Sequence, residues 1–421
     1  MDVIKTSLII GIGLTLYYLL LQWPTDNYVY DGSSKELKEI NTLIDSERSL
    51  SEPLAPLSRA SQEPAEVAAQ ELNYFEIQNN DLSLLVESRT GRFEVSSLKN
   101  ISEEKGSSER FNIFGKTYDA NSGRENVYFA NSGFYTRTQG YLNPQFEKIT
   151  EQPGEGNLKV YILEGTSGGL NFSRKIEIEN TGYSLKIEDT VNSVSGEDIS
   201  MTPYVVIERD GSPVEEGGLM YTYLGPVFSS TKDTYEKYDF DDIRESSYQN
   251  KSLGGWVALI QHYFLSAWIP DQNEEYLYQG RYGENSGRYS LGYTSRDSVL
   301  SYGETVSTKN TLYVGPKLPK QLVEIEENLD LTVDYGFLWW LGKPMYWFLD
   351  LGYTLFNNWG LAIIFLTVAL KLLTWPLSAK AYVSMGKMRE LAPKMQLLQE
   401  KHGDNRQAMS QELMEVYKKE G

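Results

Sequence analysis

Two long apolar segments lie at opposite ends of the chain, and a different pattern of hydrophobic positions lies between them. Residues 7–23 (SLIIGIGLTLYYLLLQW) are almost entirely apolar and have about the minimum length for a membrane-spanning helix. Residues 358–377 contain WGLAIIFLTVALKLLTWPL and predict a second span. The sequence therefore predicts a protein that crosses a membrane twice.

The first apolar segment could also be a secretory signal, because Lys5 gives it a positive flank. No small-x-small cleavage site follows Trp23, however. We therefore expect residues 1–6 to be a short N-terminal tail and residues 7–23 to be an uncleaved anchor.

Between the spans, the sequence changes from a flexible composition to a strand pattern. Residues 24–71 are rich in Ser, Glu, Pro and Ala, which predicts a flexible linker because they offer little apolar area to bury. Residues 72–318 contain short segments of alternating apolar positions separated by turn residues, typical of antiparallel strands. We interpret residues 72–318 as one large β-sandwich. The alternating positions include Leu82, Leu84 and Val86, then Phe172, Ile176 and Ile178 with Arg174 between them, then Tyr183, Leu185 and Ile187.

The segment Gly254–Pro270 (GGWVALIQHYFLSAWIP) stands out for its aromatic residues. Most apolar runs of this kind are core strands. We therefore interpret it as buried core, with His262 at a strand edge.

Residues 319–357 combine an apolar helical stripe with charged residues, which is too polar for a clean span. Tryptophan and tyrosine are common at membrane interfaces, so we expect an amphipathic helix at the outer surface of the membrane. Gly342 and Pro344 should break or kink it. The alternative is a helix that packs on the β domain.

After the second span, residues 378–421 predict a helical hairpin. Met385, Met388 and Leu391 begin an apolar stripe with helical spacing, and Pro393 should kink or divide it. Residues 402–405 (HGDN) supply turn chemistry before the stripe resumes near Met409.

Lys371 is the one charged residue inside the second span, and a charge at bilayer depth is costly. Thr367, Lys371 and Thr374 are spaced by four and three residues, so they share one helical face. This polar stripe favours a hydrophilic groove. The alternative is a lysine that snorkels to the headgroups, because Lys371 lies only four residues before Trp375.

The distribution of charge orients the molecule. After Leu377 there are eight basic and six acidic residues, whereas residues 24–358 contain 29 basic and 51 acidic residues. Basic residues next to a span favour the cytoplasmic side. The tail and the N-terminus are therefore expected in the cytoplasm and the large domain outside. Its acidity argues against nucleic-acid binding.

Composition leaves little room for enzyme chemistry. The chain has no cysteine, and its two histidines, His262 and His402, fall on opposite sides of the predicted membrane. The sequence has no phosphate-binding loop with the expected Lys-Ser/Thr pair. We predict no catalytic residues, no metal site and no cofactor.

Several segments together resemble the YidC/Oxa/Alb family of membrane protein insertases in its Gram-negative form. They are LTVDYGFLWW, NNWGLAIIFLTVALKLLTWPL, YVSMGKMRELAPKMQLLQEKHGD and QAMSQELMEVYKKEG. Looser similarity covers YEKYDFDDI, the aromatic segment and the N-terminal anchor.

The resemblance implies an inner-membrane protein with a periplasmic all-β supersandwich, similar in fold to galactose mutarotases. Residues 358–377 would be the first of five helices of an α-helical insertase core, with four more after Gly421. The family has an arginine in its groove, five residues before the Pro of a Pro-Leu pair. That position is Lys371 here, so the charge is kept but the planar fork of arginine is lost.

The implied function is insertion and folding of nascent inner-membrane proteins, alone or with the Sec translocon. Thr367, Lys371 and Thr374 would line the substrate groove. Implied partners are nascent membrane proteins, the Sec translocon with accessory Sec proteins, the ribosome and membrane lipid.

Two other classes of protein are alternatives, and the first of them has the same predicted topology. One is a two-span receptor with a periplasmic sensor domain and a cytoplasmic helical relay. The other is an anchored periplasmic carbohydrate enzyme, which needs two placed carboxylates.

Overall fold

The computed structural model describes residues 73–402, apart from 105, 120–123, 195, 197, 211–222 and 285, together with residues 410, 411 and 414. The predicted anchor at 7–23 and the linker at 24–71 lie outside these residues, as does the predicted turn at 403–405. The chain divides into two compact units, with the boundary between Asp334 and Tyr335.

The first unit is built from β-strands, as the alternating pattern predicts. The strands in chain order are β1 (Tyr74–Gln78), β2 (Leu82–Glu87), β3 (Phe93–Ser102), β4 (Arg110–Asn112), β5 (Gly115–Asp119), β6 (Arg124–Thr136), β7 (Gly140–Tyr141), β8 (Phe146–Pro153), β9 (Leu158–Ser167), β10 (Leu170–Glu179), β11 (Ser184–Ser193), β12 (Ile199–Asp210), β13 (Gly225–Ser229), β14 (Glu236–Lys237), β15 (Tyr248–Leu253), β16 (Trp256–Ile260), β17 (Phe264–Pro270), β18 (Glu275–Gly283), β19 (Arg288–Thr294), β20 (Ser298–Leu300) and β21 (Thr305–Pro316).

These strands form two sheets. The larger sheet has the order β1-β2-β3-β6-β12-β19-β18-β15, with β4, β5, β7 and β20 paired at its margins. The smaller sheet has the order β14-β13-β16-β17-β21-β11-β10-β9-β8. The pairs are antiparallel, and one continuous hydrophobic cluster contains residues of both sheets. The unit is a β-sandwich.

The aromatic segment supplies the centre of this core, which confirms its interpretation as buried. Trp256 of β16 and Trp268 of β17 are both fully buried. The indole N–H of Trp268 donates to the carbonyl of Val206 on the other sheet at 3.0 Å. His262 lies in the short turn between β16 and β17, with its ring 4.1 Å from the ring of Tyr263.

A buried ion pair within the smaller sheet is hydrogen-bonded to the larger sheet. Arg174 of β10 donates through Nε to Asp189 Oδ1 on β11 at 2.5 Å. Its Nη2 donates to the Ser132 carbonyl on β6 at 2.7 Å, and its Nη1 donates to the carbonyl of Gly91. The position that interrupts the apolar alternation of β10 is therefore a buried, paired charge.

The alternation of buried residues is irregular between β2 and β3. Leu82, Leu84 and Val86 are fully buried, but Phe93 is buried while Val95 is only partly so. The pairing of β2 with β3 shifts between Leu85 and Val86, which changes the face that later residues of β3 present.

Four helices are described: α1 (Phe240–Glu245), α2 (Pro319–Ile325), α3 (Trp339–Phe356) and α4 (Trp359–His402). Short 3₁₀ turns occupy Leu329–Thr332 and Gly336–Leu338. Helices α3 and α4 belong to the second unit.

The prolines of the second unit do not divide its helices. Pro344 lies in the second turn of α3, and the helix continues through it and through Gly342. Pro376 and Pro393 both lie inside α4. The prediction that Pro393 could divide the stripe is therefore wrong, and the second span and the first arm of the predicted hairpin form one helix of 44 residues.

Candidate functional site

The turn between α3 and α4 is defined by two asparagines. Asn357 adopts a left-handed conformation with φ 48°, and its N–H donates to the carbonyl of Tyr353 at 2.7 Å. Asn358 accepts through Oδ1 from the N–H of Leu361 at 3.2 Å. Asparagine is favoured both as a left-handed cap and as an N-cap, so the sequence fixes where one helix ends and the next begins.

Helices α3 and α4 contact each other through small and aromatic residues next to this turn. A Cβ on Gly352 would lie 3.1 Å from the Cα of Ala362, so the two backbones are close. The ring of Tyr353 stacks on that of Trp359 with centroids 4.2 Å apart. This contact was not predicted from the sequence, although small residues in apolar helices are a recognised sign of close packing.

The contact with α3 identifies which face of α4 remains unpartnered. Lys371 follows Ala362 by nine residues, which is about two and a half turns of 3.6 residues. Its side chain therefore leaves α4 on the side opposite to Ala362. Thr367 and Thr374 lie within about 60° of Lys371 around the helix axis. The structure thus brings the three predicted residues together on one face of α4, directed away from α3.

The polar groups of this stripe differ in what they can still bind. Thr367 donates its hydroxyl proton to the carbonyl of Ile363 at 2.8 Å, and Thr374 donates to that of Leu370 at 2.9 Å. The hydroxyl oxygens can still accept hydrogen bonds. Lys371 is exposed and forms no ion pair with any described residue. The stripe therefore offers one ammonium with three donors and two hydroxyl acceptors.

The rest of α4 around this stripe is apolar and exposed. Val368, Leu372 and Leu373 all have more than half of their surface exposed. Among the described residues, α4 is the one helix long and apolar enough to cross a membrane. Lys371 lies about 18 Å along the axis from Trp359 and about 9 Å before Leu377. A bilayer core about 30 Å thick beginning at Trp359 would therefore contain it.

Metal binding finds no support in the described ranges. No group of three or more His, Asp or Glu side chains there is arranged to hold a metal ion. His262 lies in a turn of the β-sandwich, with its ring beside that of Tyr263. The polar stripe is the candidate site.

Two family models match the chain. The YidC periplasmic domain matches residues 75–348, and the 60Kd inner membrane protein matches residues 351–421. The first match covers the β-sandwich and extends into α3. The second begins near the end of α3 and includes all of α4.

Named relatives match along the whole chain. A membrane protein insertase YidC from Azotobacter vinelandii is 31% identical and covers 100% of this chain and 77% of its own length. The insertase of the same name from Shewanella loihica is 30% identical and covers 99% of this chain and 76% of its own length.

Solved structures resemble the β-sandwich only distantly. A galactose mutarotase related enzyme from Lactobacillus acidophilus has a TM-score of 0.37 at 9% identity, covering 57% of this chain and 97% of that one. An alpha-galactosidase from Geobacillus stearothermophilus has a TM-score of 0.41 at 7% identity, covering 60% and 42%. Similarity at this level supports no conclusion about function.

The family matches assign the two units. The β-sandwich is a periplasmic domain, and the helical unit belongs to an inner-membrane protein whose activity is membrane protein insertion, not chemical catalysis. Nascent membrane proteins are its substrates. The chain therefore belongs to the family of YidC membrane protein insertases.

Proposed function

We propose that the face of α4 carrying Thr367, Lys371 and Thr374 lines a hydrophilic groove that receives the polar segments of nascent membrane proteins. The observation that supports this most strongly is the placement of the stripe. It lies opposite the contact with α3, and its ammonium has no partner among the described residues. Because an unpaired charge at membrane depth is costly, it should face water or a polar partner.

Substrate entry would follow from the chemistry of the stripe. Lys371 attracts acidic side chains in the polar outer segment of a substrate, and the two threonine oxygens keep water in the groove. Water lowers the cost of moving polar groups partway across the bilayer. The apolar segment of the substrate leaves into lipid, where burial of apolar surface favours it by about 25 cal/mol per Å².

The other parts of the chain would support this step. We propose a multi-pass topology with residues 7–23 as anchor, 24–71 as periplasmic linker and 358–377 as the second span. Residues 319–357 would lie at the periplasmic interface, where Trp339, Trp340 and Trp347, all exposed, suit the headgroup region. Residues 378–421 would form the cytoplasmic hairpin that meets the ribosome.

The same groove would serve two modes of action. In one mode the protein inserts a substrate alone, and in the other it acts as a chaperone for helices that leave the Sec translocon and its accessory Sec proteins. In the chaperone mode, the polar stripe would remain in contact with a substrate helix until the polar residues of that helix form their final contacts.

Site-specific photocrosslinking tests the placement of the groove. A photoreactive side chain at Thr367 in the intact protein should crosslink an arrested nascent chain during insertion. The same group at Leu372 is the matched control, because Leu372 is next to Lys371 in depth but about 100° around the helix. We expect several-fold more nascent-chain adduct from position 367. Equal adduct from both positions, or more from 372, would contradict the proposal.

A further inference from the structure

The last residues of the β-sandwich are held on its surface by buried side chains. Leu329 and Thr332 are fully buried, and Leu329 belongs to the main hydrophobic cluster. The indole N–H of Trp256, itself fully buried, donates to the carbonyl of Glu327 at 3.4 Å. We call residues 327–334 the exit segment, because the sandwich unit ends with the last residue of this segment.

An ion pair holds the end of the exit segment. The ammonium of Lys237 on β14 donates to a carboxylate oxygen of Asp334. Only 35% of the Lys237 side chain and 30% of the Asp334 side chain are exposed, so solvent screens this pair less than a pair on the open surface. Because β14 is the edge strand of the smaller sheet, the pair joins the end of the exit segment to that edge.

Two tyrosine rings lie beside the ammonium. Nζ of Lys237 is 5.0 Å from the ring centroid of Tyr223 and 5.4 Å from that of Tyr235. At such distances the π electrons of a ring attract a cation. The hydroxyl of Tyr223 donates to the carbonyl of Pro226 at 2.5 Å and accepts from the N–H of Tyr238 at 3.1 Å, which fixes the first ring. The position of the ammonium is therefore set by the residues around it and not by the carboxylate alone.

The second ring is also fixed, and it remains uncharged. The ring of Tyr235 packs on that of Trp256 with centroids 6.4 Å apart. Burial raises the pKa of the Tyr235 hydroxyl, and the negative charge of Asp334 raises it further. The tyrosine is therefore neutral at physiological pH, and Lys237 is the cation that Asp334 meets.

The ion pair lies close in sequence to the first helix of the second unit. Asp334 precedes Trp339, where α3 begins, by five residues. A fully extended chain covers about 3.6 Å per residue, so α3 begins within about 18 Å of Asp334. If the chain left the sandwich as early as Glu327, this limit would grow to about 43 Å. Holding Asp334 in place therefore restricts where α3 can begin.

We propose that Lys237 is a positioning residue for membrane protein insertion. Its ion pair with Asp334 holds the exit segment on the sandwich and so restricts the place where α3 begins. Helix α4, which carries the polar stripe, follows α3 after a turn of two residues. The ion pair acts through the chain and does not touch the substrate, so failure of this proposal leaves the proposed groove unaffected.

Four variants of the intact protein test the pair. Lys237→Met removes the charge and keeps most of the side-chain length, and Asp334→Asn removes the opposite charge and keeps the shape. The third variant combines both changes. Lys237→Arg keeps a cation that can lie over the tyrosine rings. The matched control is Arg296→Met, because the pair of Arg296 with Glu275 belongs to the same sandwich but is 82% and 50% exposed.

Hydrogen exchange followed by mass spectrometry measures how firmly the exit segment is held. In Lys237→Met and in Asp334→Asn, the backbone amides of residues 327–334 should exchange several-fold faster than in the native protein. The double variant should exchange no faster than either single variant, because both changes remove the same contact. Lys237→Arg and Arg296→Met should exchange at the native rate in this segment.

Insertion of a model membrane protein, at equal membrane levels of each variant, measures the consequence. Lys237→Met, Asp334→Asn and the double variant should all insert several-fold more slowly than the native protein, and Lys237→Arg should retain most of the activity. The melting midpoint of the β-sandwich should fall by no more than about 4 °C, since a partly exposed ion pair contributes little to global stability. A loss of insertion with a nearly native midpoint distinguishes positioning from a purely structural role.

If Lys237→Met does not fold, Asp334→Asn carries the test, because it leaves Lys237 over the tyrosine rings. Native exchange rates in the variants would show that the pair does not hold the exit segment. Faster exchange with native insertion would show that holding the segment has no role in insertion. Either result overturns the proposal, as would a double variant whose losses equal the sum of the two single losses.

Discussion

Arg174 is a charged residue at a buried position of β10, where the alternating pattern would place an apolar residue. Phe172, Arg174 and Ile176 share the buried face of β10, and the guanidinium is satisfied by Asp189, Ser132 and Gly91. Buried pairs of this kind gain little over apolar packing, but the loss of one partner leaves an uncompensated charge.

Arg174→Met should therefore destabilise the β-sandwich by about 3–5 kcal/mol, because the carboxylate of Asp189 stays buried without its cation. Urea unfolding followed by tryptophan fluorescence measures this, since Trp256 and Trp268 are buried in the same unit. Lys175→Met is the control, because the pair of Lys175 with Glu177 is exposed and should cost less than about 1 kcal/mol.

The double variant Arg174→Met with Asp189→Leu checks the cause of the loss. It should recover a large part of the stability, since no unpaired charge remains. Similar stability of Arg174→Met and the Lys175→Met control would show that the buried pair contributes little.

The sequence predicts the alternation around Arg174 but not its role. Apolar periodicity is a local property, so Phe172, Ile176 and Ile178 are recognisable within one strand. The partners of Arg174 come from three other parts of the chain, and only the register of β10, β11 and β6 brings them together.

At the scale of elements, α3 and α4 show the limits of proline as a helix breaker. The sequence predicts breaks or kinks at Gly342, Pro344 and Pro393, but each residue lies inside a continuous helix. Proline removes one backbone hydrogen bond, and apolar helices of membrane proteins tolerate this. The asparagine pair at the turn, with its favourable caps, marks the actual helix boundary.

The close contact of Gly352 with Ala362 should be sensitive to side-chain volume. A Cβ at position 352 would already lie 3.1 Å from the backbone of α4, so the larger side chain of Gly352→Leu does not fit without a shift. We expect this overpacking to lower the free energy of unfolding by about 1–3 kcal/mol. The measurement is the melting midpoint of the intact protein in detergent, followed by far-UV circular dichroism.

Thr354→Leu is the matched control for this substitution, since Thr354 is exposed and lies two residues further along the same helix. It should leave the midpoint nearly unchanged. An equal effect of both variants would mean that α3 does not depend on close contact with α4.

At the scale of the whole molecule, charge is distributed unevenly along the chain. The residues from 24 to 358 carry a large acidic excess, whereas the residues after Leu377 carry more basic than acidic groups. This asymmetry and the two apolar segments predict the topology without any contact information. The arrangement of the 21 described strands in two sheets could not be predicted in the same way, because pairs such as β12 with β6 join residues far apart in sequence.

Lys371 is relevant at all three scales. A helix that served only as a membrane anchor would not need a charged residue inside its span. The position of Lys371 opposite the contact with α3 is a property of the element, and in the proposed function it determines how the whole protein receives its substrates. The proposed function requires this ammonium to face a hydrated groove.

The most direct test measures insertion of acidic and neutral substrates by the native protein, Lys371→Arg and Lys371→Ala, at equal membrane levels. A groove cation predicts that Lys371→Arg retains insertion, while Lys371→Ala loses it several-fold, most for substrates with acidic outer segments. A snorkelling lysine predicts that Lys371→Ala enters the membrane at least as well and remains fully active. Equal insertion of acidic and neutral substrates by Lys371→Ala, at the native rate, would contradict the proposed groove.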